Sequence, residues 1–228
     1  MARLGAARKV LAQSSNATIT DAASFHAAFP VSRETIERLT LYADLMAHWQ
    51  KSINLISSKT LDDIWLRHIA DSAQLLNFKP EKAKRWIDLG SGGGAPGLVV
   101  AICLSEDPDV QVDLVESNAK KCAFLREVIR RTGIKARVYN QRVEDFVLTQ
   151  KPVDYDVVSA RALAPLPRLL DYAETFIQQG AIGLFLKGQH VDEELTEATK
   201  CWMIKAQKHP SLSDSLGSIL IVESAYRV

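Results

Sequence analysis

The chain has 228 residues, of which 47% are hydrophobic and 24% are charged, and its formal net charge at pH 7 is +1. These values are ordinary for a folded globular protein with one large domain, or with one domain and an extension. The near-zero charge excludes a globally basic nucleic-acid-binding protein, so contact with a nucleic acid requires a local basic patch.

Cysteine usage and hydropathy indicate the cellular environment. Cys103, Cys122 and Cys201 are odd in number, widely spaced and without a CxxC pair, which argues against a disulfide framework and against a zinc site. The sequence has no run of the roughly 20 apolar residues that a membrane span needs. We therefore expect a cytoplasmic protein without a metal or a membrane contact, and we expect it to be a monomer.

Residues 1–31 are expected to form a partly ordered tail. The first part contains Arg3, Arg8 and Lys9, many alanines and serines, and no acidic residue before Asp21. This composition resembles an organellar transit peptide, although a loosely ordered bacterial N-terminus is the simpler interpretation. Both interpretations stay open.

A helical segment is predicted for residues 32–80. Apolar residues spaced by three and four from Ser32 to Ile53 mark one helical stripe, with Ser32 as its N-cap. After the loop sequence NLISSK, Thr60 and Asp63 resemble a capping box that opens a second helix, which should end near Leu76. We expect this segment to form a cap beside the domain that follows.

Residues 81–228 alternate short β-type runs with helical ones, which predicts a mostly parallel sheet covered by helices. The last two β runs are joined by HPSLSDSLG, which is too short for a crossover helix, so they should pair antiparallel. This α/β, Rossmann-like layout of seven strands with a terminal antiparallel hairpin is that of the class I S-adenosylmethionine-dependent methyltransferases. The strands are predicted over 86–89, 112–116, 135–140, 155–160, 181–187, 204–209 and 218–224, with a polar helix over 191–202.

The sequence DLGSGGGAPGL, residues 88–98, follows the first predicted strand and opens a helix. Glycine lets the backbone approach a ligand closely and adopt positive φ, and ligands of open α/β sheets bind beyond the carboxyl ends of the strands. Gly90, Gly92 and Gly94 are therefore candidate cofactor contacts. The same loop also fits the dinucleotide pattern GxGxxG, and a tight turn without a ligand is a third possibility.

Acidic residues at strand ends favour adenosylmethionine over a dinucleotide. Asp88 precedes the first glycine, where methyltransferases often place an acid near the methionine end of the cofactor. Glu116 ends the second strand, where a carboxylate can accept both ribose hydroxyls, a feature that NAD-binding folds share. Val143, Glu144 and Asp145 follow the third strand, where they would meet an adenine.

Seven motifs together resemble one family, the small-subunit ribosomal RNA guanine-N7 methyltransferases, also called glucose-inhibited division protein B. They are INLISS (53–58), RHIADS (67–72), DLGSGGGAPGL (88–98), KKCAFL (120–125), RVEDF (142–146), SARALAPL (159–166) and LKGQ (186–189). The resemblance implies S-adenosylmethionine as methyl donor. It implies one guanine of a 16S rRNA loop near the decoding region as target, on the free rRNA or in the small ribosomal subunit. Family cofactor contacts carry over to Gly90, Ala95, Val143, Glu144 and Arg161.

Four residues are candidates for the substrate pocket: Asn54, His68, Arg161 and Lys187. Three of them have a structural alternative, since His68 suits a hydrogen-bonded packing role beside an Arg67–Asp71 pair, Asn54 a turn, and Lys187 a solvated strand end. No catalytic residue is assigned. Guanine N7 has a lone pair and no proton, so its methylation requires positioning and desolvation and no general base.

The helix after the second strand carries a basic face that suits RNA phosphates, with Lys120 and Lys121 nearest the cofactor edge. Its other basic residues are Arg126, Arg130 and Arg131, and a solvated face with Glu127 paired to Arg131 is the alternative for the last two. The sequence leaves two further functions open: a methyltransferase of another RNA, a protein or a small molecule, and a nucleotide-binding or dehydrogenase module that transfers no methyl group.

Overall fold

A computed structural model describes residues 19–57, 60–149 and 153–228. The composition predicted to be transit-like therefore lies almost entirely outside the described residues. The segment expected as a partly ordered tail contains helix α1, Ala22–Ala28. Asp21 caps α1 by accepting a hydrogen bond of 2.8 Å from the Ser24 amide, and Phe25 stacks on Phe29 at a centroid distance of 4.6 Å.

Helix α2 spans Arg33–Trp49, and Ser32 is its N-cap, as the sequence predicts. The Ser32 hydroxyl accepts a hydrogen bond of 3.1 Å from the Thr35 amide. The apolar stripe faces inward, with Leu39, Tyr42 and Met46 fully buried. The predicted amphipathic helix is therefore confirmed.

The second predicted helix differs from the structure at its start. A π-helical turn Trp65–Ala70, an α-helical turn Asp71–Ala73 and a 3-10 turn Gln74–Asn77 follow one another, and together they are called α3. The residue before this helix, Ile64, provides no side-chain cap. The predicted Thr60–Asp63 capping box is therefore wrong, because the Thr60 hydroxyl donates to the Ser57 carbonyl and contacts His68 instead.

The described strands form one sheet with the order β3-β2-β1-β4-β5-β7-β6. The first five pair in parallel, and β7 pairs antiparallel with both β5 and β6, as the short final connection predicts. The strands are β1 Arg85–Leu89, β2 Gln111–Val115, β3 Ala136–Tyr139, β4 Val157–Arg161, β5 Ile182–Lys187, β6 Trp202–Pro210 and β7 Ser218–Arg227. The predicted class I methyltransferase layout is confirmed.

Helices connect the parallel strands, as expected for right-handed crossovers. They are α4 Gly97–Cys103, α5 Ala119–Thr132, α6 Val143–Thr149, α7 Leu166–Gln178 and α8 Val191–Ala198. Helix α8 ends earlier than the predicted residue 202, because Trp202 begins β6. The indole of Trp202 is buried in the core, and the guanidinium of Arg227 lies 4.7 Å from the centre of its ring.

Two hydrophobic layers cover the sheet. One face packs against α4, α5 and the N-terminal helices, while α6, α7 and α8 cover the other face. The N-terminal helices therefore share a core with the sheet, and the boundary expected near residue 80 stays a prediction. One polar contact aligns them with the glycine loop, since the Tyr42 hydroxyl donates to the Gly93 carbonyl at 2.9 Å. Within the described ranges, no helix has the length and apolarity to cross a membrane.

Candidate functional site

A cleft of about 1240 Å³ opens at the carboxyl ends of β1, β2, β4 and β5. Its lining contains all four predicted substrate-pocket residues and most of the residues predicted near the cofactor, with Gly94, Asp88 and Asp145 absent from it. The lining residues from these predictions are Asn54, His68, Gly90, Gly92, Ala95, Glu116, Val143, Glu144, Arg161 and Lys187. The fold thus brings together residues from distant parts of the chain.

The glycine loop forms one wall of the cleft. Gly90 adopts φ +67°, a conformation that favours glycine, and a Cβ atom there would also displace Leu163, whose Cδ1 would lie 2.5 Å away. Gly94 also has positive φ, at +92°, but it packs against Leu98 and does not line the cleft. Gly94 belongs to the turn that starts α4, since its carbonyl accepts a hydrogen bond from the Leu98 amide, and its contact with a cofactor stays a prediction.

Asp88 lies behind this loop and is fully buried, so its carboxylate does not reach the cleft lining. It accepts hydrogen bonds from the Ser159 hydroxyl at 2.7 Å and from the Gly97 amide at 3.2 Å. Burial raises the pKa of Asp88 to about 6, against the lowering effect of the hydrogen bond from Ser159. Asp88 therefore positions the loop and the start of α4.

Glu116 joins the end of β2 to the glycine loop. Its Oε2 accepts a hydrogen bond of 2.9 Å from the Gly92 amide, and its Oε1 accepts one of 2.7 Å from the Asn118 amide. A carboxylate oxygen has two lone pairs, so each oxygen can accept one further hydrogen bond. Glu116 is buried, with 8% of the residue exposed, and this burial holds its two carboxylate oxygens in place.

Glu144 lies on the same side of the cleft, at the start of α6. Its Oε1 accepts hydrogen bonds from the Tyr172 hydroxyl at 2.5 Å and from Arg168 Nη2 at 2.9 Å. Both hydrogen bonds lower the pKa of Glu144, and the bond from Tyr172 has the larger effect. Asp145, which the sequence placed beside the adenine, is absent from the cleft lining.

His68 and Arg161 meet in the opposite wall. Arg161 Nη2 lies 2.5 Å from His68 Nδ1, and Arg161 Nη1 donates to the Arg67 carbonyl at 2.7 Å. Asp71 Oδ2 lies 3.6 Å from Arg161 Nη1. Burial, followed by the charges of Arg161 and Arg67, lowers the pKa of His68 to about 3. His68 therefore has the hydrogen-bonded packing role in this wall, and its role in the substrate pocket stays a prediction.

The loop between β6 and β7 completes this wall, and sequence analysis did not include it in the site. Asp71 Oδ1 accepts a hydrogen bond of 2.7 Å from the Ser211 hydroxyl. Arg67 Nη1 lies 2.9 Å from Asp214 Oδ2. The expected Arg67–Asp71 pair is therefore wrong, because each residue has a partner elsewhere. No local pattern signals these contacts, since Asp71 and Ser211 are 140 positions apart.

Lys187 is neither free nor solvated. Its side chain is 8% exposed, and its Nζ lies 2.5 Å from Glu194 Oε2. It also donates to the Ala164 carbonyl at 3.0 Å. Asn54, by contrast, is exposed at the edge of the cleft and forms no hydrogen bond within the described ranges.

Basic residues flank the cofactor side of the cleft. Lys121 and Arg142 line the cleft, with Lys120 and Arg126 nearby on α5, and none of these four forms an ion pair in the part of the chain that the structure describes. Glu127 pairs most closely with Arg130, at 2.7 Å, and lies 4.0 Å from Arg131. Among the described residues, no three or more His, Cys, Asp or Glu side chains form a metal-binding group.

Comparison with known proteins gives one family. Residues 35–218 match the family described as rRNA small subunit methyltransferase G. A ribosomal RNA small subunit methyltransferase G from Parvibaculum lavamentivorans is 52% identical over 208 residues, which cover 91% of each chain. The protein of the same name from Nitrobacter hamburgensis is 49% identical over 91% of this chain and 79% of its own length.

Solved structures with lower identity share the fold. The O-methyltransferase TomG from Streptomyces achromogenes, in complex with SAM, is 14% identical, has a TM-score of 0.58, and the match covers 92% of this chain and 100% of TomG. An O-methyltransferase from Bacillus cereus in complex with SAH is 15% identical, with a TM-score of 0.55 over 84% of this chain and 90% of its own. At these identities the likeness concerns the sheet and its helices alone.

Proposed function

Since this chain belongs to the rRNA small subunit methyltransferase G family, we propose that it transfers a methyl group from S-adenosylmethionine to N7 of one guanine in 16S rRNA. The observation that carries this proposal is the composition of the cleft. One side presents a glycine loop and Glu116, which suit a nucleoside, and the other presents the Arg161, His68 and Asn54 wall. At about 1240 Å³ the cleft has room for a cofactor and a base together.

The residues on the β2 side fit the methyl donor. Glu116 would accept the ribose hydroxyls through its remaining lone pairs, while Val143 and Glu144 would border the adenine. Gly90, Gly92 and Ala95 have small or no side chains and leave room for the methionine part of the donor. At Gly90 a Cβ atom would collide with Leu163. S-adenosylmethionine supplies an electrophilic methyl group on a positively charged sulfur.

The protein contributes orientation to the reaction. Guanine N7 already has its lone pair in the ring plane, so no proton has to be removed before attack. The described cleft agrees with this requirement, because the acceptor nitrogen of His68 is occupied by Arg161. Catalysis then depends on holding N7 in line with the methyl group and on excluding water from that line.

The RNA would approach over the basic edge of the cleft. Lys121 and Arg142 are cationic and lack acidic partners in the described ranges, so they can neutralise phosphates that flank the target guanine. We further propose that the protein acts as a cytoplasmic monomer on 16S rRNA, either free or in the small ribosomal subunit. The dehydrogenase alternative is set aside, because the family is one of methyltransferases.

The test uses 16S rRNA and small subunits from a bacterial strain that lacks the corresponding gene. The purified protein is incubated with the methyl donor and each substrate, and the digested RNA is analysed by mass spectrometry. We expect one 7-methylguanosine in 16S rRNA. Methylation of another RNA or of a protein, with unchanged 16S rRNA, would contradict the proposed function. Glu116→Ala serves as the control that lacks the donor site.

A further inference from the structure

We propose that the half-buried Lys187–Glu194 pair is a positioning device that fixes the loop between β4 and α7 against the target base. The proposal rests on the proposed function, since it concerns the same methyl transfer. Neither residue touches the reacting atoms in this assignment. Both act through backbone groups at the end of this loop, Lys187 through Ala164 and Glu194 through Leu166. Residues 161–165 of the loop line the cleft next to the glycine loop.

The loop has a backbone conformation that its neighbours must hold. Ala162 has φ +50°, in the left-handed region, which is unfavourable for a residue with a Cβ atom. Such a conformation persists when surrounding contacts impose it, and it is concentrated at functional sites. The next residue, Leu163, lies against Gly90, so the loop borders the cofactor loop directly.

Lys187 and Glu194 hold this loop at two neighbouring polar groups. The Lys187 ammonium donates to the Ala164 carbonyl at 3.0 Å. Glu194 Oε2 accepts a hydrogen bond of 2.6 Å from the amide of Leu166, the first residue of α7. Because Pro165 gives α7 no side-chain cap, Glu194 supplies that cap from α8.

The two side chains form one unit. Their charged atoms are 2.5 Å apart, with side-chain exposures of 8% for Lys187 and 24% for Glu194. A buried ion pair contributes little net stability, while loss of one partner leaves an uncompensated charge. Net stability therefore does not account for this ion pair. Its contacts with the backbone of Ala164 and Leu166 do account for it.

The strand order assigns the pair to the target base and not to the donor. In the order β3-β2-β1-β4-β5, the residues that fit the donor follow β2 and β3, on one side of β1. Lys187 ends β5, which lies on the other side of β1 and next to β4. The loop that the pair holds therefore borders the half of the cleft that contains His68 and Arg161, of which Arg161 is also predicted to contact the donor.

The double variant Lys187→Met/Glu194→Gln tests the proposal without leaving a lone buried charge. The glutamine introduced in place of Glu194 keeps an oxygen for the Leu166 amide, while the contact to Ala164 is lost. With donor and rRNA saturating, we expect the single-turnover methylation rate to fall about 100-fold, because a displacement of about 1 Å has an effect of that size. The donor Kd, measured by calorimetry, should stay within about twofold of the wild type.

The matched control is Lys208→Met/Asp192→Asn. It removes another ion pair of α8, at 2.5 Å, whose side chains are 42% and 73% exposed and lie outside the cleft lining. We expect wild-type rates. Lys187→Arg keeps a cation that reaches Ala164 and Glu194, so its rate should exceed that of the double variant at least about tenfold. All rates are measured below the melting temperature of each variant.

Three outcomes would overturn the proposal. A folded double variant with a rate within about twofold of an active wild type would reject positioning by the pair alone. A donor Kd that rises as much as the rate falls would assign the pair to the donor half. A wild-type protein that does not methylate 16S rRNA would reject the proposed function, and this inference with it.

Discussion

Arg161 donates a hydrogen bond to Nδ1 of His68 across 2.5 Å. A guanidinium has no acceptor, so Nδ1 must be unprotonated and the imidazole proton lies on Nε2. Nε2 lies 2.9 Å from the Thr60 hydroxyl, which in turn donates to the Ser57 carbonyl. His68 is thus neutral, with both ring nitrogens engaged. This arrangement connects β4 to α3 and leaves His68 without a free basic nitrogen.

Replacing Arg161 should both destabilise the protein and impair methylation. In Arg161→Ala, His68 Nδ1 loses its donor and the buried Asp71 carboxylate loses its cation. We expect the free energy of unfolding to fall by about 3 kcal/mol, as measured by urea denaturation. The control is Arg33→Ala, which removes an arginine whose side chain is 88% exposed and should change stability by less than about 0.5 kcal/mol. Equal effects of the two variants would contradict this assignment.

The pH dependence of stability should contain two opposing contributions. The pKa of His68 is lowered from 6.5 to about 3, so its contribution is present above pH 6.5 and is lost as the pH falls towards 3. The pKa of Asp88 is raised from 3.8 to about 6, so its contribution is present below pH 3.8 and is lost as the pH rises through 6. The two effects overlap between about pH 4 and 6.

Single variants separate these contributions. In His68→Gln the stabilisation on raising the pH from about 4 to 6.5 should shrink, whereas in Asp88→Asn the same rise in pH should stabilise more strongly than in the wild type. Urea denaturation at each pH measures both slopes. Identical pH profiles for the wild type and both variants would show that neither group has the shifted pKa.

The sheet could be predicted because its signals are local. Residues 86–89 and 181–187 are apolar runs bounded by turns, and they correspond to β1 and β5 within one residue at each end. Ser32 begins its helix as predicted, since a cap and an apolar stripe act within one turn of each other. The glycine loop was placed correctly because positive φ restricts the residue type at Gly90.

Other features depend on contacts that are distant in the chain and leave no local pattern. The hydroxyl of Thr60 contacts His68, which is why it does not cap α3 as its spacing to Asp63 suggested. The partner of Lys187 comes from the following helix, and that of Arg67 from the final hairpin. Local spacing therefore assigned these charged residues to solvent or to a neighbour four positions away.

Glu116→Gln should weaken donor binding while the protein stays folded. The side-chain oxygen of the glutamine still accepts from the backbone amide of Gly92 or of Asn118. Its NH₂ group is a donor, so it cannot accept from the other backbone amide or from a ribose hydroxyl. We expect the Kd for S-adenosylmethionine to rise by about 10- to 100-fold, the effect of losing a charge-assisted hydrogen bond of about 1.5–3 kcal/mol. Calorimetry measures the change. Glu106→Gln, at an exposed site, is the control, and an unchanged Kd for Glu116→Gln would exclude the ribose contact.

Lys121 and Arg142 should set part of the salt dependence of RNA binding. Both line the cleft and lack an acidic partner in the described ranges, so each can neutralise one phosphate. Each phosphate of single-stranded RNA that a protein neutralises releases counterions. A plot of the logarithm of the binding constant against the logarithm of the salt concentration then gains a slope of about −0.7 per phosphate. In Lys121→Ala and in Arg142→Ala, the slope should become less steep by about 0.7, and the double variant should show about twice that change.

Filter binding of 16S rRNA across salt concentrations, with donor present, measures these slopes. Lys82→Ala is the matched control, because Lys82 is exposed and precedes β1, at the end of the sheet opposite the cleft. Its slope should equal that of the wild type. A uniform loss of affinity without any change of slope in Lys121→Ala and Arg142→Ala would mean that these residues do not contact phosphates.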